Sequence, residues 1–245
     1  YLLNLEEITL ESPAGGVTPH FTVVNGVLYD YAKTVALKYP PQRPVTNTHL
    51  VLENTITSIS ERAFFDMRYI TKITIPESVV IIKKEAFMHE RYGGQPDSDL
   101  QEVIFSQESQ LKVIQRHAFQ YCRPENGSGR PGVTNFTIPK SVEIIEAWAF
   151  YGMGTRVYFE PGSNIKKIGY QSFQSNTYGN QGLPEGVVNV EIDAMDGVTL
   201  DNGTNVLNVP ASVVKLERGS MSISGVTTIN FAKRSKLSGL SSELN

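Results

Sequence analysis

The chain has one cysteine, Cys122, in 245 residues, so no intramolecular disulfide is available and cysteine arithmetic leaves the compartment open. No apolar run approaches the roughly 18 residues that a membrane-spanning helix needs, which argues against membrane insertion of this segment. Nor is there an excess of basic charge. With 22 Lys plus Arg against 25 Asp plus Glu, the net charge is −3, the wrong sign for a partner with a phosphate backbone. Catalytic signatures are missing as well. His20, His49, His89 and His117 are scattered without zinc spacing. No G-x-S-x-G elbow occurs, and "GSGRPG" at 127–132 lacks the lysine and the helix of a phosphate loop. Asp193, Asp196 and Asp201 fail the EF-hand spacing, and turn chemistry explains the Asp-Asn-Gly that follows. The expectation is no catalytic residue, no cofactor and no metal.

What is present is repetition. "SISERAF" at 58–64 returns as "IIKKEAF", "VIQRHAF", "IIEAWAF" and "KIGYQSF". The closing phenylalanines are Phe64, Phe87, Phe119, Phe150 and Phe173, in steps of 23, 32, 31 and 23. Between them recur short alternating triplets: "ITI" at 73, "VIF" at 103, "FTI" at 136, "VYF" at 157, "LNV" at 207 and "INF" at 229. Such triplets read as very short strands. A three-residue strand cannot bury its own apolar face, so the units must stack, each triplet pairing in parallel with the next. The spacing therefore predicts a solenoid with three walls per coil: the triplet, the apolar pair such as Ile81 and Ile82, and the Ala-Phe pair. The phenylalanines become a buried ladder, each ring contributing about 1.5–3 kcal/mol through burial.

Upstream, Asn25-Gly26 between "FTVV" and "VLYD" is the preferred dipeptide of a type I′ hairpin. A return through "TVALKY" completes a small antiparallel cap over the open end of the first coil. We read residues 1–49 as this cap, 50–175 as regular repeats and 176–245 as degenerate repeats with a C-terminal cap, all in one solenoid. In the last part "VEIDAMDGVTL" reads as having lost its Ala-Phe, and Ser220-Met221 stands where Ala-Phe is expected.

"IPESVVIIKKEAF", "IPKSVEIIEAWAF" and "AFQYC" resemble the BspA-like leucine-rich repeats, and "FTVVNGVLYDYAKTVALKYP" is similar to a segment that recurs in that family. The resemblance implies an α/β leucine-rich-repeat-type right-handed solenoid. It also implies a non-enzymatic bacterial protein, secreted or held at the cell surface, an outer-membrane lipoprotein being one form, that adheres as a monomer to a protein or glycan on a host or neighbouring cell. The first residue is Tyr1 rather than Met, which points to a removed leader or tag. Two competing readings are a spacer without its own ligand and, ranked last, a polysaccharide-active β-helix enzyme, for which no aligned carboxylate or basic cluster is visible in the triplets.

For the partner-binding surface we select Arg91 and Tyr92 in the insertion after Phe87, Arg123 and Arg130 in that after Phe119, and Tyr178 in that after Phe173. All are residue types enriched at interface hot spots. Insertions at one point of a repeat must emerge along one edge of a solenoid. Trp148 joins them, standing where neighbouring repeats carry Glu85 and His117. Cys122, by contrast, falls at a small position after Ala-Phe and reads as a packed thiol.

Overall fold

The first hairpin turn places Asn25 at φ 51° and Gly26 at φ 81°, the two left-handed residues that a type I′ turn requires. It joins Phe21–Val24 to Val27–Asp30, which then pairs antiparallel with Val35–Lys38. The Asp30 carboxylate fixes the second turn by accepting from Thr34 Oγ1 at 2.7 Å and from the Val35 amide at 2.6 Å. Val35–Lys38 in turn pairs parallel with Ser58–Ile59, so the last strand of the cap is also the first rung of the solenoid. Tyr29 and Tyr39 are sealed beneath it, and burial pushes both phenols up to about 12.

The structure is a computed structural model that describes residues 2–11, 19–90, 98–123 and 132–238. Its second wall is a ten-stranded sheet. After the cap it continues in parallel through two-residue strands at Ser58–Ile59, Ile81–Ile82, Val113–Ile114, Ile144–Ile145, Lys167–Ile168, Asn189–Val190 and Lys215–Leu216. The second residue of each strand, from Ile59 to Leu216, is buried. One residue of slip would turn this row outward, so burial fixes the register.

The triplet wall departs from the expected single sheet. His49–Val51, Lys72–Ile75 and Glu102–Phe105 form one sheet. Asn135–Ile138, Arg156–Phe159, Thr177–Tyr178, Val198–Leu200 and Ile223–Ser224 form a second. Val206–Val209 and Thr228–Phe231 form a third. At the first break, side-chain packing replaces hydrogen bonds: the Phe105 and Phe136 rings meet edge-on at 5.7 Å.

The third wall is also not helical, and no described residue is in a helix. This corrects the α component of the expected α/β class. The cause is local: the residue before each small-Phe pair is left-handed, as at Arg62, Glu85, His117, Trp148 and Gln171, with φ between 47° and 59°, and such a residue ends a right-handed helix. Inter-coil hydrogen bonds hold the wall instead, from Phe64 N to Ala86 O at 2.7 Å, Phe87 N to Ala118 O at 2.8 Å and Phe119 N to Ala149 O at 2.8 Å.

Behind this wall the phenylalanine ladder forms as expected. Successive ring centroids from Phe64 to Phe173 lie 5.0, 4.9, 5.6 and 5.4 Å apart, with no more than 8° between planes. Ala194-Met195 and Ser220-Met221 extend it, all four buried. The coil at 190–200 thus keeps its closing pair with methionine in place of phenylalanine. An unbranched thioether fills the same space.

Candidate functional site

Of the residues selected from sequence, Arg91, Tyr92 and Arg130 lie outside the described residues. Arg123 packs its guanidinium over Gly154, where a Cβ would meet Nη1 at 2.6 Å. Tyr178 is a correction: it is 1% exposed, so it cannot offer its ring to a partner. It belongs to the parallel strand Thr177–Tyr178, between Arg156–Phe159 and Val198–Leu200, and its hydroxyl donates to Gly182 O at 2.8 Å. The segment taken for an insertion is a coil. "GLPEGVVNV" at 182–190 is a weak copy of "TIPESVVII" at 74–82, with Leu183, Val187 and Val190 buried where Ile75, Val79 and Ile82 are buried. The signal was there in the Pro-Glu-x-Val-Val core.

Trp148 stands in the left-handed position of the third wall, where side chains leave the coil outward and stack on the coils above and below. The column begins with an ion pair between Arg62 and Glu85. Burial works to raise the Glu85 pKa, but Arg62 and Lys84 outweigh it and hold the carboxyl below its usual range. Two coils further, the His117 and Trp148 rings stack with centroids 4.9 Å apart and 1° between planes. The Arg116 guanidinium sits 4.4 Å over the indole, a cation–π contact worth about 0.5–1 kcal/mol at an exposed site. Tyr170 meets the indole edge-on at 4.9 Å, and Trp148 Nε1 donates to Gln171 Oε1 at 2.8 Å.

The proton inventory of this cluster is defined. Arg116 Nε donates to His117 Nε2 at 3.0 Å, so Nε2 is the acceptor, and Nδ1 donates to the Gln120 side chain. That is a neutral imidazole. Its pKa is lowered, chiefly by burial, with Arg116 acting in the same direction against the opposing pull of Gln120. Trp148, His117 and Tyr170 are half-buried and Arg116 is exposed. The arrangement gives a rigid aromatic surface with a cation at its rim. Arg116, Tyr170 and Gln171 were not selected from sequence, although aligning "RHAF", "AWAF" and "YQSF" puts Arg116 and Tyr170 in one column and His117, Trp148 and Gln171 in the next.

Among the described residues no group of three His, Cys, Asp or Glu side chains could hold a metal ion. Cys122 is buried and donates its thiol to Phe87 O at 2.6 Å, and burial pushes the thiol pKa up, with Asp66 acting in the same direction. Asn176 does the same work two coils later, donating Nδ2 to Phe150 O at 2.7 Å. Both residues close a turn by satisfying the ladder carbonyl of the preceding coil. His89 and Asp66 form a buried pair, Nδ1 to Oδ1 3.2 Å, in which the same carboxylate oxygen also accepts from Glu90 N at 2.6 Å. No described helix is long and apolar enough to cross a membrane.

A family model described as a BspA type leucine rich repeat region matches residues 45–124 and 128–239 in six copies. Among solved structures, a leucine rich cell surface protein from Faecalibacterium prausnitzii aligns with a TM-score of 0.59 at 18% identity, over 91% of this chain and 56% of that one. The pneumococcal vaccine antigen PcpA aligns with a TM-score of 0.54 at 14% identity, over 83% of this chain and 69% of its own. A leucine-rich repeat protein from Eubacterium ventriosum aligns at 0.51 and 16% identity, over 99% of this chain and again 56% of its own. The chain thus spans just over half of the Faecalibacterium and Eubacterium proteins. At these identities the likeness is one of fold. No curated protein matches the chain by sequence.

Proposed function

The chain belongs to the BspA-type leucine-rich repeat family, and from that premise we propose that it is a non-catalytic binding module, secreted or displayed on a bacterial surface, whose third wall engages a partner protein or glycan around Trp148. The observation that carries this reading is the Arg116–Trp148–His117 stack, braced by Tyr170 and Gln171. Nothing in the fold requires it, because the ladder behind it is complete without it. Trp and Arg are enriched among residues that dominate interface energies, and an indole already held on several sides loses little freedom when a partner covers it. Arg91, Tyr92 and Arg130, which follow Phe87 and Phe119 in sequence and lie outside the described residues, are included in the proposal as further partner contacts. The monomer is the acting unit.

The name of the Faecalibacterium protein supports a surface location for this chain, and the description of PcpA as a vaccine antigen accords with exposure to a host. The test compares the wild type with an Arg116→Ala, Trp148→Ala double variant on immobilised extracellular-matrix proteins, a glycan array and whole cells. Binding by the wild type that falls at least about tenfold, or ~1.4 kcal/mol, in the variant is expected. Equal binding by both would remove this face from the function.

A further inference from the structure

The triplet wall changes character after residue 159. The outward-facing position holds Thr74 beside Ile104 in the first sheet and Thr137 beside Tyr158 in the second; beyond them a separate row of Gly182, Asn208 and Asn230 is bridged in that order. Gly182 brings no side chain, and a Cβ there would meet Asn208 O at 2.7 Å. A groove of about 520 Å³ runs here across four coils, from Phe159 to Ala232, with Gly182 in its lining. None of the aromatic column around Trp148 lines it.

The groove presents a column of amides. Asn180 is fixed on Phe159, its Oδ1 accepting from Phe159 N at 2.8 Å and its Nδ2 donating to Phe159 O at 3.2 Å. Asn208 Nδ2 donates to Gln181 O at 3.0 Å, and Asn208 Oδ1 accepts from Asn230 Nδ2 at 3.1 Å. Each amide held in this way keeps one N–H and at least one lone pair free for a ligand. Gln181, Asn208 and Asn230 are exposed, and the amides recur once per coil, about 4.7–4.9 Å apart along a parallel sheet.

The lining selects by exclusion. Its charged side chains are Glu160 and Glu185, with no Lys or Arg, so phosphates and uronates are disfavoured. An extended peptide adds to a sheet through unpaired backbone, but along the groove floor these backbone groups already pair from coil to coil: Asn208 N donates to Gln181 O at 3.0 Å, Leu183 N to Asn208 O at 2.9 Å and Ala232 N to Val209 O at 3.0 Å. A neutral polymer that carries hydroxyls as both donors and acceptors matches what remains. We propose that this groove is a second binding site, for a neutral linear oligosaccharide laid along the solenoid axis, with the amides of Asn180, Gln181, Asn208 and Asn230 exchanging hydrogen bonds with its hydroxyls. Phe231, 43% exposed at one end, offers a ring face to a sugar.

The test is calorimetric titration of the full chain with cellohexaose, mannohexaose and, as the anionic control, hexagalacturonate, beside a neutral-glycan array and an uncharged hexapeptide. Binding of a neutral oligosaccharide is expected. It weakens at least about tenfold, ~1.4 kcal/mol, in a Gln181→Ala, Asn230→Ala variant, whose exposed substitutions leave the melting temperature unchanged, and it is retained in Trp148→Ala. That last arm separates this site from the face proposed above. The assignment is overturned if no neutral glycan binds at millimolar concentration, if the amide variant binds as the wild type does, or if only the hexagalacturonate or the peptide binds.

Discussion

His117 and Trp148, thirty-one residues apart in sequence, lie face to face on adjacent coils with ring centroids 4.9 Å apart. Trp148 is the only tryptophan, so indole emission, excited at the red edge where tyrosine does not absorb, reports this stack alone. Burial lowers the His117 pKa from an ordinary value of about 6.5, and a protonated imidazole against the indole quenches its emission. The quenching midpoint in the folded protein is therefore expected below pH 6.5. Because the charged form is disfavoured in the folded state, the unfolded chain takes up the proton first. The contribution of His117 to stability is complete above about pH 6.5 and declines as the pH falls below it. Urea unfolding at pH 7.5 and 5.5 should show a smaller acid loss for His117→Gln than for the wild type; a midpoint at or above 6.5 would contradict the assignment.

Phe119 is fully buried between Phe87 and Phe150 and meets Phe136 edge-on at 5.1 Å. Phe119→Ala leaves a cavity in the middle of the ladder and should cost about 3–5 kcal/mol in urea unfolding. Trp148→Ala, on the outer face, should cost clearly less. A loss below about 1 kcal/mol for Phe119→Ala would mean that the ring does not fill the core.

Gly219 and Gly162 are both left-handed, at φ 65° and 74°, but a Cβ at Gly219 would collide with the Asp193 carboxylate, whereas at Gly162 it would find nothing within 4 Å. Placing Ala in that conformation costs about 1–2 kcal/mol. Gly162→Ala should show only this amount and Gly219→Ala more. In an Asp193→Ala background the excess at Gly219 should vanish, a coupling that a double-mutant cycle measures.

Cys122 is buried, with its thiol hydrogen-bonded to Phe87 O. Burial that raises the thiol pKa keeps the reactive thiolate scarce. The native protein should not react with a thiol reagent such as DTNB over minutes at pH 8, and one equivalent should react in denaturant. Rapid labelling of the native protein would place the sulfur at the surface.

The ladder was legible because every coil repeats the same local demand: a small residue, then an aromatic ring, where backbones approach and apolar area must be covered. The hairpin was legible for a similar reason, since Asn25-Gly26 satisfies a backbone requirement that few dipeptides meet. Tyr178 misled because its strand is two residues long and flanked by Gly179, Asn180 and Gly182, a composition that resembles a loop until the neighbouring strands supply its hydrogen bonds. The α/β expectation failed for a related reason. The turns of the third wall depend on left-handed residues at positions filled by Arg, Glu, His, Trp and Gln, of which only His is a type enriched in that conformation.

Sequence by itself determined what points inward, because burial acts on each repeat alike and leaves its period in the chain. Tertiary structure decided what meets on the outside. The coils differ in length, and only their stacked register brings Arg116 over Trp148, Trp148 against His117, and Asn208 beside Asn230. Those contacts join residues from different coils, and no single repeat contains the information that places them side by side.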